Sequence, residues 1–408
     1  MEGVVKKPAV QTVEESITGK TVRGGEPVSV MFVIASLEYG GAERQVVEMV
    51  RAFDRTKIRP IICSLSPKVP LADSLPNRSE DLIIEEKKWK YDLTLVWRVA
   101  RLMRQHQVNV VHGFLFDAEI VARLAGRLAG VPVILGSERN ADYERPRLHS
   151  LLLRLTQPVL SGIVANSNAG GAFYARTLSF PVEKVHVVHN GVDVRRFAPD
   201  PLARQKMRSE LKLPAEALVV GMVASFKTQK RHQDFLTMAA RVRDRFPQAW
   251  FVLVGEPLSD NMQGSGDQHN RIRTLVRELG ITDRCFFLGA RKDVPTIYNA
   301  CDLTVLPSSR EGTPNVVLES MACGVPVVAS EIADNALIIQ RGETGQLFPV
   351  GDVDQLTNLV NGLLADPMER LRLGQGARKQ IESDFSLEAA AGKLEKIYRG
   401  CWLATRSS

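Results

Sequence analysis

The sequence predicts an α/β protein of two Rossmann-like domains, each a parallel sheet with helices on both faces, facing each other across a cleft. Three observations predict it. Short apolar runs of strand length alternate with amphipathic stretches of helix length. The alternation gives way near residues 190–215 and then starts again. The chain has 408 residues, 44% of them hydrophobic and 24% charged, which is enough apolar material for two cores and excludes global disorder.

The first series opens with Val28 to Ala35, apolar enough to be buried on both sides of a parallel sheet. Gly40-Gly41 turns the chain into a helix whose Val46, Val47, Met49 and Val50 form its apolar side. Ile58 to Leu65 reads as a strand, Leu93 to Gln105 as a helix and Val108 to His112 as a strand. Ala118 to Ala129 is a helix, and Val131 to Gly136, Gly162 to Asn166 and Lys184 to His189 are strands. Asn190-Gly191-Val192-Asp193 is turn chemistry, and the polar stretch to Glu216 reads as a hinge. The second series runs Leu218 to Ala224, Trp250 to Gly255, Arg284 to Gly289, Leu303 to Leu306 and Val325 to Ala329. Residues 258–270, LSDNMQGSGDQHN, read as an exposed loop, and Leu387 to Trp402 as a closing helix. The expected organisation is a mobile tail over 1–26, domains over 27–195 and 196–384, and a terminal helix over 385–408.

The stretch CDLTVLPSSREGTPNVVLESMACGVPVVAS, residues 301–330, carries the most chemistry. A buried strand is followed by a polar turn, Pro307 to Gly312. Thr313 is placed to cap a helix with Pro314 at its first position, and Gly324 ends it. Such a unit puts backbone N–H groups and a helix N-terminus at the carboxyl end of a parallel strand, where α/β proteins hold phosphates. Glu311 lies before the helix and Glu319 two turns into it, so the two carboxylates suit two different polar parts of one ligand.

These residues resemble a family. The Glu311 and Glu319 spacing, and the whole of EGTPNVVLESMACGVPVVAS, are similar to the Glu-x7-Glu block of retaining nucleotide-sugar glycosyltransferases of the GT-B fold, family four. The similarity extends more weakly from about residue 29 onward. It implies a transferase that moves a sugar, with retention of configuration, from a nucleoside diphosphate to a glycan, lipid-linked or small-molecule acceptor. UDP is the first expectation for the nucleotide and GDP the second. Polysaccharide or glycolipid synthesis is the implied setting. In the family the closing helix returns to the first domain.

The resemblance assigns further residues. Lys230, in VASFKTQKRHQDF, matches the lysine that neutralises the donor diphosphate. Ser225 stands where an arginine is common, and Lys227 matches a variant position for that base. Gly41 matches a glycine turn that brings backbone N–H groups to the donor. Gly312, Thr313, Asn315 and Val316 line the donor side of the block. Glu311 is expected on a sugar hydroxyl and Glu319 on the ribose. His112, in VVHGFLFDAEI, stands at a position where a functional histidine is found, but Phe114 occupies the second place of the usual His-x-His. Arg139 and Asn140 match an acceptor loop. Leu337 departs from the glutamate common near that position. The same fold also hosts epimerases and phosphorylases, and a non-catalytic sugar-nucleotide binder is the alternative from another class.

No cofactor or metal is implied. Asp352-Val353-Asp354 is formally a metal-binding D-x-D but reads as a helix cap. The five cysteines, Cys63, Cys285, Cys301, Cys323 and Cys401, are odd in number and never C-x-x-C, so they read as reduced thiols rather than disulfides or a zinc site. No apolar run reaches eighteen residues, and the expectation is a cytoplasmic chain, with contact at the inner membrane face left open. The net charge is +7, of which residues 1–200 carry +5, from 27 Lys+Arg against 22 Asp+Glu. That excess is too small for nucleic acid but suits an anionic membrane surface or a phosphorylated acceptor. KKWKYDLTLVWRVARLMRQH, residues 87–106, is the basic and aromatic stretch that could face such a membrane.

Overall fold

A computed structural model describes residues 26–406, apart from 39, 90–91, 142 and 256–264. By its contacts the chain forms two compact units, residues 1–191 with 387–408 and residues 192–386. The tail expected over 1–26 lies outside the described residues up to residue 25. Of the loop expected over 258–270, the first part lies outside them too, but residues from Ser265 onward belong to a helix, Ser265–Glu278. Its Ile272 and Val276 are buried against the second core, which is the apolar side that the polar composition masked.

The first unit holds a seven-stranded sheet. In chain order the strands are β1 (Val28–Ile34), β2 (Ile58–Ser64), β3 (Leu82–Ile84), β4 (Val110–Phe114), β5 (Val133–Glu138), β6 (Gly162–Ala165) and β7 (Val185–Val187). Their order in the sheet is β3-β2-β1-β4-β5-β6-β7, and each pairing is parallel. Every residue of β1, β4, β5 and β6 is buried, as continuous apolar runs covered on both faces require. One face packs against the helices Gly41–Ala52 and Leu387–Arg406, the other against Thr94–Gln105 and Phe116–Ala129.

The second unit repeats the plan with six parallel strands: β8 (Leu218–Val223), β9 (Ala249–Val254), β10 (Cys285–Phe287), β11 (Leu303–Leu306), β12 (Val327–Ser330) and β13 (Gly345–Phe348), in the order β10-β9-β8-β11-β12-β13. The stretch read as a polar hinge contains a helix, Pro201–Glu210, capped by Asp200 and held through Arg204 to the carbonyls of Asn299, Ala300 and Cys301. Each unit is thus Rossmann-like. In each, strand order reverses once, between β1 and β4 and between β8 and β11, and the loops leaving the carboxyl ends there are the usual place for a ligand.

Candidate active site

In the second unit, β8 and β11 are neighbours, so the loops that follow them emerge side by side. After β8 the chain passes exposed Lys227 and makes one 3-10 turn, Thr228–Lys230. Arg231 follows with φ +51, a left-handed conformation unusual for a residue with a Cβ, and opens the helix His232–Arg245. Its guanidinium grips Asp234 through two bonds of 2.6 and 3.1 Å, which fixes the bend. His232 is buried against Phe226, its ring stacked at 4.5 Å, and burial pushes it down to about 4. The bend aims Lys230 sideways, and its Nζ meets Glu311 Oε1 at 2.5 Å. The backbone joins the loops as well: the Ser309 N–H donates to the Gln229 carbonyl at 2.8 Å. Two residues 81 apart in sequence, singled out separately, therefore form one ion pair beside the reversal of strand order.

Past Glu311 the chain runs through Gly312 and Thr313, both buried, into the helix Asn315–Ala322. Thr313 does not hold the cap position. Pro314 does, and its side chain makes no capping bond. The ring fixes an extended entry, so the register shifts by one residue from the expected one. The C-terminal reading stands: Gly324 has φ +70 and closes the end through N–H groups donated from Gly324 to Met321 and from Val325 to Ser320. Asn315 and Val316 are half-buried in the first turn, beside the ion pair's loop in sequence. Glu319 is 5% exposed and accepts from the Tyr298 hydroxyl at 3.0 Å. Tyr298 is a residue that sequence reasoning did not single out.

In the first unit the expected residues are placed differently. His112 does not end its strand. Strand β4 continues to Phe114, and His112 is 1% exposed in the interior. Its Nδ1 lies 2.7 Å from the Tyr398 hydroxyl and its Nε2 2.8 Å from the Ser137 hydroxyl. Burial pushes it down to about 3, with the nearby Arg139 cation acting in the same direction. A neutral imidazole with both nitrogens occupied is held as structure, and it offers no free nitrogen for proton transfer to a substrate. Phe114 packs on it at 4.4 Å, filling the interior where a second histidine was the family pattern.

Arg139 follows β5 and donates to the Asn190 side chain at 2.6 Å; burial lowers it to about 10. Asn140 is exposed, with its backbone N–H on Glu138 Oε1 at 3.1 Å. Gly40 caps the helix that Gly41 begins, in an ordinary extended conformation, so positive φ is not its reason. Space is. A Cβ there would stand 2.0 Å from the Glu43 carboxylate, which folds over the helix N-terminus and is raised by its burial.

The remaining candidates resolve simply. Asp352 accepts the Gln355 N–H as a helix cap, while Asp354 reaches out to Arg241, and among the described residues no three His, Cys, Asp or Glu side chains gather as a metal site. Leu337 is exposed on a short helix, Asn335–Ile338. The five cysteines are unpaired.

Comparison with known proteins agrees with this layout. The family described as "Glycosyltransferase Family 4" matches residues 39–196, and that described as "Glycosyl transferases group 1" matches residues 203–380. Among curated proteins, the chain is 24% identical over 316 residues to an Escherichia coli UDP-Gal:alpha-D-GlcNAc-diphosphoundecaprenol alpha-1,3-galactosyltransferase, covering 75% of this chain and 79% of that one. It is 26% identical over 315 residues to the N-acetyl-alpha-D-glucosaminyl L-malate synthase of Bacillus anthracis, covering 76% and 79%. Among solved structures, Anabaena Alr3699/HepE in complex with UDP superposes with a TM-score of 0.79 at 20% identity, over 92% of this chain and 100% of that one.

Proposed function

This chain belongs to the family-four glycosyltransferases of the GT-B fold, and from that premise we propose that it transfers a sugar from a UDP-sugar, with retention of configuration, to a glycan or lipid-linked acceptor. The observation that carries the reading is the Lys230–Glu311 pair beside the point where the second sheet reverses. Breaking a sugar–diphosphate bond puts negative charge on the diphosphate. Lys230 and the first-turn N–H groups near Asn315 and Val316 are fixed donors for that charge. Until a donor arrives, the pair holds both side chains in place. The diphosphate then competes for Lys230, and Glu311 turns to a hydroxyl of the sugar. Glu319 accepts from the ribose, with the Tyr298 hydroxyl holding its other side. Lys227, exposed at the loop's start, is a second point charge for the phosphates. UDP as the nucleotide is supported by the Anabaena complex and by the Escherichia coli relative.

A lipid-linked acceptor would bring the chain to a membrane. No helix among the described residues is long and apolar enough to cross one. The first unit instead carries apolar side chains facing outward: Trp97 at 66% exposed on the helix Thr94–Gln105 and Leu93 at 81% just before it, and Leu148, Leu151 and Leu155 on the helix Arg147–Leu155. Both helices pack on the same face of the sheet, through Leu95, Val99 and Leu153. Lys88, Arg101, Arg147 and Arg154, on these two helices or shortly before them in sequence, are exposed as well. Exposed apolar side chains on helices that also carry exposed cations fit an anionic bilayer surface.

The deciding experiment incubates the purified chain with UDP-sugars and an acceptor panel and follows release of UDP. Acceptor-dependent release with an α-configured product is expected. Binding of UDP-sugars without turnover on any acceptor would make the chain a non-catalytic binder, and conversion of the donor into an epimeric UDP-sugar, without acceptor and without net release of UDP, would make it an epimerase. Sedimentation with anionic vesicles tests the surface: partial loss of binding in high salt is expected, because charge is screened and apolar insertion is not.

A further inference from the structure

A cavity of about 190 Å³ opens in the first unit at the carboxyl ends of β4 and β5. It is lined by Leu115 and Phe116 after β4, by Glu138, Arg139 and Asn140 at and after β5, and by Arg145. Arg145 is the unusual member. Its side chain is only 6% exposed, and its guanidinium lies 5.1, 5.3 and 5.5 Å from the rings of Tyr143, Phe173 and Tyr174. One edge is satisfied: Nη2 donates to Glu138 Oε2 at 2.5 Å, and Nε to the Tyr143 hydroxyl at 3.0 Å. The other edge is not. Nη1 is buried with no hydrogen-bond partner. A buried N–H left unpaired is destabilising, more so on a charged group, so such an atom needs a reason.

The charges around the cavity favour an anion. Glu119 is already paired with buried Arg123. Glu138 faces Arg145 but is also held by the N–H groups of Arg139 and Asn140, and its burial raises it to about 7. Arg139 adds a second cation to the same lining. Positive charge is therefore in excess at the end of the sheet where α/β proteins take up ligands.

We propose that this cavity binds an anionic group, a phosphate or a carboxylate, with the Nη1 edge of Arg145 as its principal donor. A guanidinium already fixed by three rings and a carboxylate presents that edge at little further entropic loss, and the fork geometry matches either oxyanion. Resting on the glycosyltransferase reading, the group belongs to the acceptor, so the acceptor class is a sugar or carrier bearing a phosphate or carboxylate near the hydroxyl that receives the sugar.

The test titrates the full chain with inorganic phosphate and, separately, with malonate, with UDP present at saturation to keep phosphate off the loops of the second unit. Binding is read by calorimetry and by thermal shift, on wild type and on Arg145→Lys, which keeps the charge and removes Nη1. Saturable binding of at least one anion is expected, weakened about tenfold or more in Arg145→Lys, the scale of one charge-assisted hydrogen bond. The anion that binds names the chemistry of the acceptor group. Failure of both anions to bind the wild type, or equal affinity of wild type and variant, overturns the proposal. If Arg145→Lys does not fold, wild-type crystals soaked in selenate decide: an anion within hydrogen-bond distance of Arg145 Nη1 upholds the proposal, and its absence there overturns it. Stabilisation by UDP is read in the same titrations, so a chain that takes an anion at Arg145 but ignores UDP would retire the donor reading and leave this one standing.

Discussion

Between β1 and β4 the first unit fills the reversal of its sheet with its own side chains: His112, Phe114, Phe32 and Tyr398 pack against one another at 4.4–6.1 Å, and both imidazole nitrogens are bonded. Between β8 and β11 the second unit, with the same strand order, brings two loops together through one ion pair, Lys230 with Glu311. The same order over six strands thus serves two ends. Where polar atoms are buried and mutually satisfied, they specify the fold. Where a cation and a carboxylate meet at strand ends beside helix N–H groups, they are a pair that a charged ligand can rearrange. Substitutions in the first set should appear as stability, and in the second as turnover.

The largest effect should follow from ending the chain at Ser386. That removes Leu387, Leu394, Ile397 and Tyr398, all buried in the first core. At about 1.5–3 kcal/mol for each large apolar side chain, the loss of about 6–12 kcal/mol rivals the whole net stability of a domain. The first unit should lose its cooperative transition while the second keeps its own and still gains stability from UDP; a single unchanged melting transition would break the comparison.

Lys230→Ala should come next. Turnover at saturating donor should fall ~10²-fold or more, the scale of one preorganised donor to developing charge. The fall in melting temperature should be small beside the loss of turnover, although Glu311, its side chain 9% exposed, is left without its cation. Near-normal turnover would remove Lys230 from the diphosphate.

The two glutamates divide the donor. Glu319→Gln should weaken free UDP by ~1.5–3 kcal/mol, the worth of hydrogen bonds to a charged group. Glu311→Gln should spare free UDP and lower turnover and discrimination between sugars. Isothermal titration of both variants with UDP and with the intact donor settles it; equal losses on bare UDP would end the division of labour.

The smallest effect is pH-dependent. His112 is held neutral in the fold, at about 3, against an ordinary value of 6.5. The unfolded chain therefore binds the proton first, and the contribution of a neutral His112 is complete above pH 6.5 and declines as pH falls from there toward 3. Glu138, raised to about 7, works in the opposite direction, favouring the fold at low pH and opposing it as pH rises from 4.5 through 7. Between 4.5 and 6.5 the two offset one another in the same unit. His112→Gln removes one side of that balance. Its stability deficit, measured in denaturant, should be largest at pH 7 and shrink as pH falls toward 4.5. A deficit that grows on acidification would mean the buried imidazole carries its proton.

Much of this was legible in the sequence because buried parallel strands are nearly continuous apolar runs, and turns at their carboxyl ends carry glycine and proline. The strands that escaped, β3 and β13, are three and four residues long at sheet edges, too short for periodicity to register. Glu311 and Lys230 could each be named, but not their contact, since nothing local ties residues 81 apart. His112 was visible and its role was not, because the hydroxyl that occupies it stands 286 positions later. Arg145 gave no signal at all: its meaning lies in three rings, Tyr143 close by and Phe173 and Tyr174 on the later helix Asn168–Leu178, and in one atom without a partner.

The helix Leu387–Arg406 completes a core that begins at Val28. On a ribosome moving from one end of the message to the other, the first unit is translated early, yet its sheet face and the imidazole of His112 wait for Tyr398 through the synthesis of the entire second unit. The second unit is contiguous and can close as soon as it emerges. The order of birth and the order of completion are therefore reversed, and the nascent first half, with an apolar face uncovered meanwhile, is the part of this protein with the most need of a chaperone.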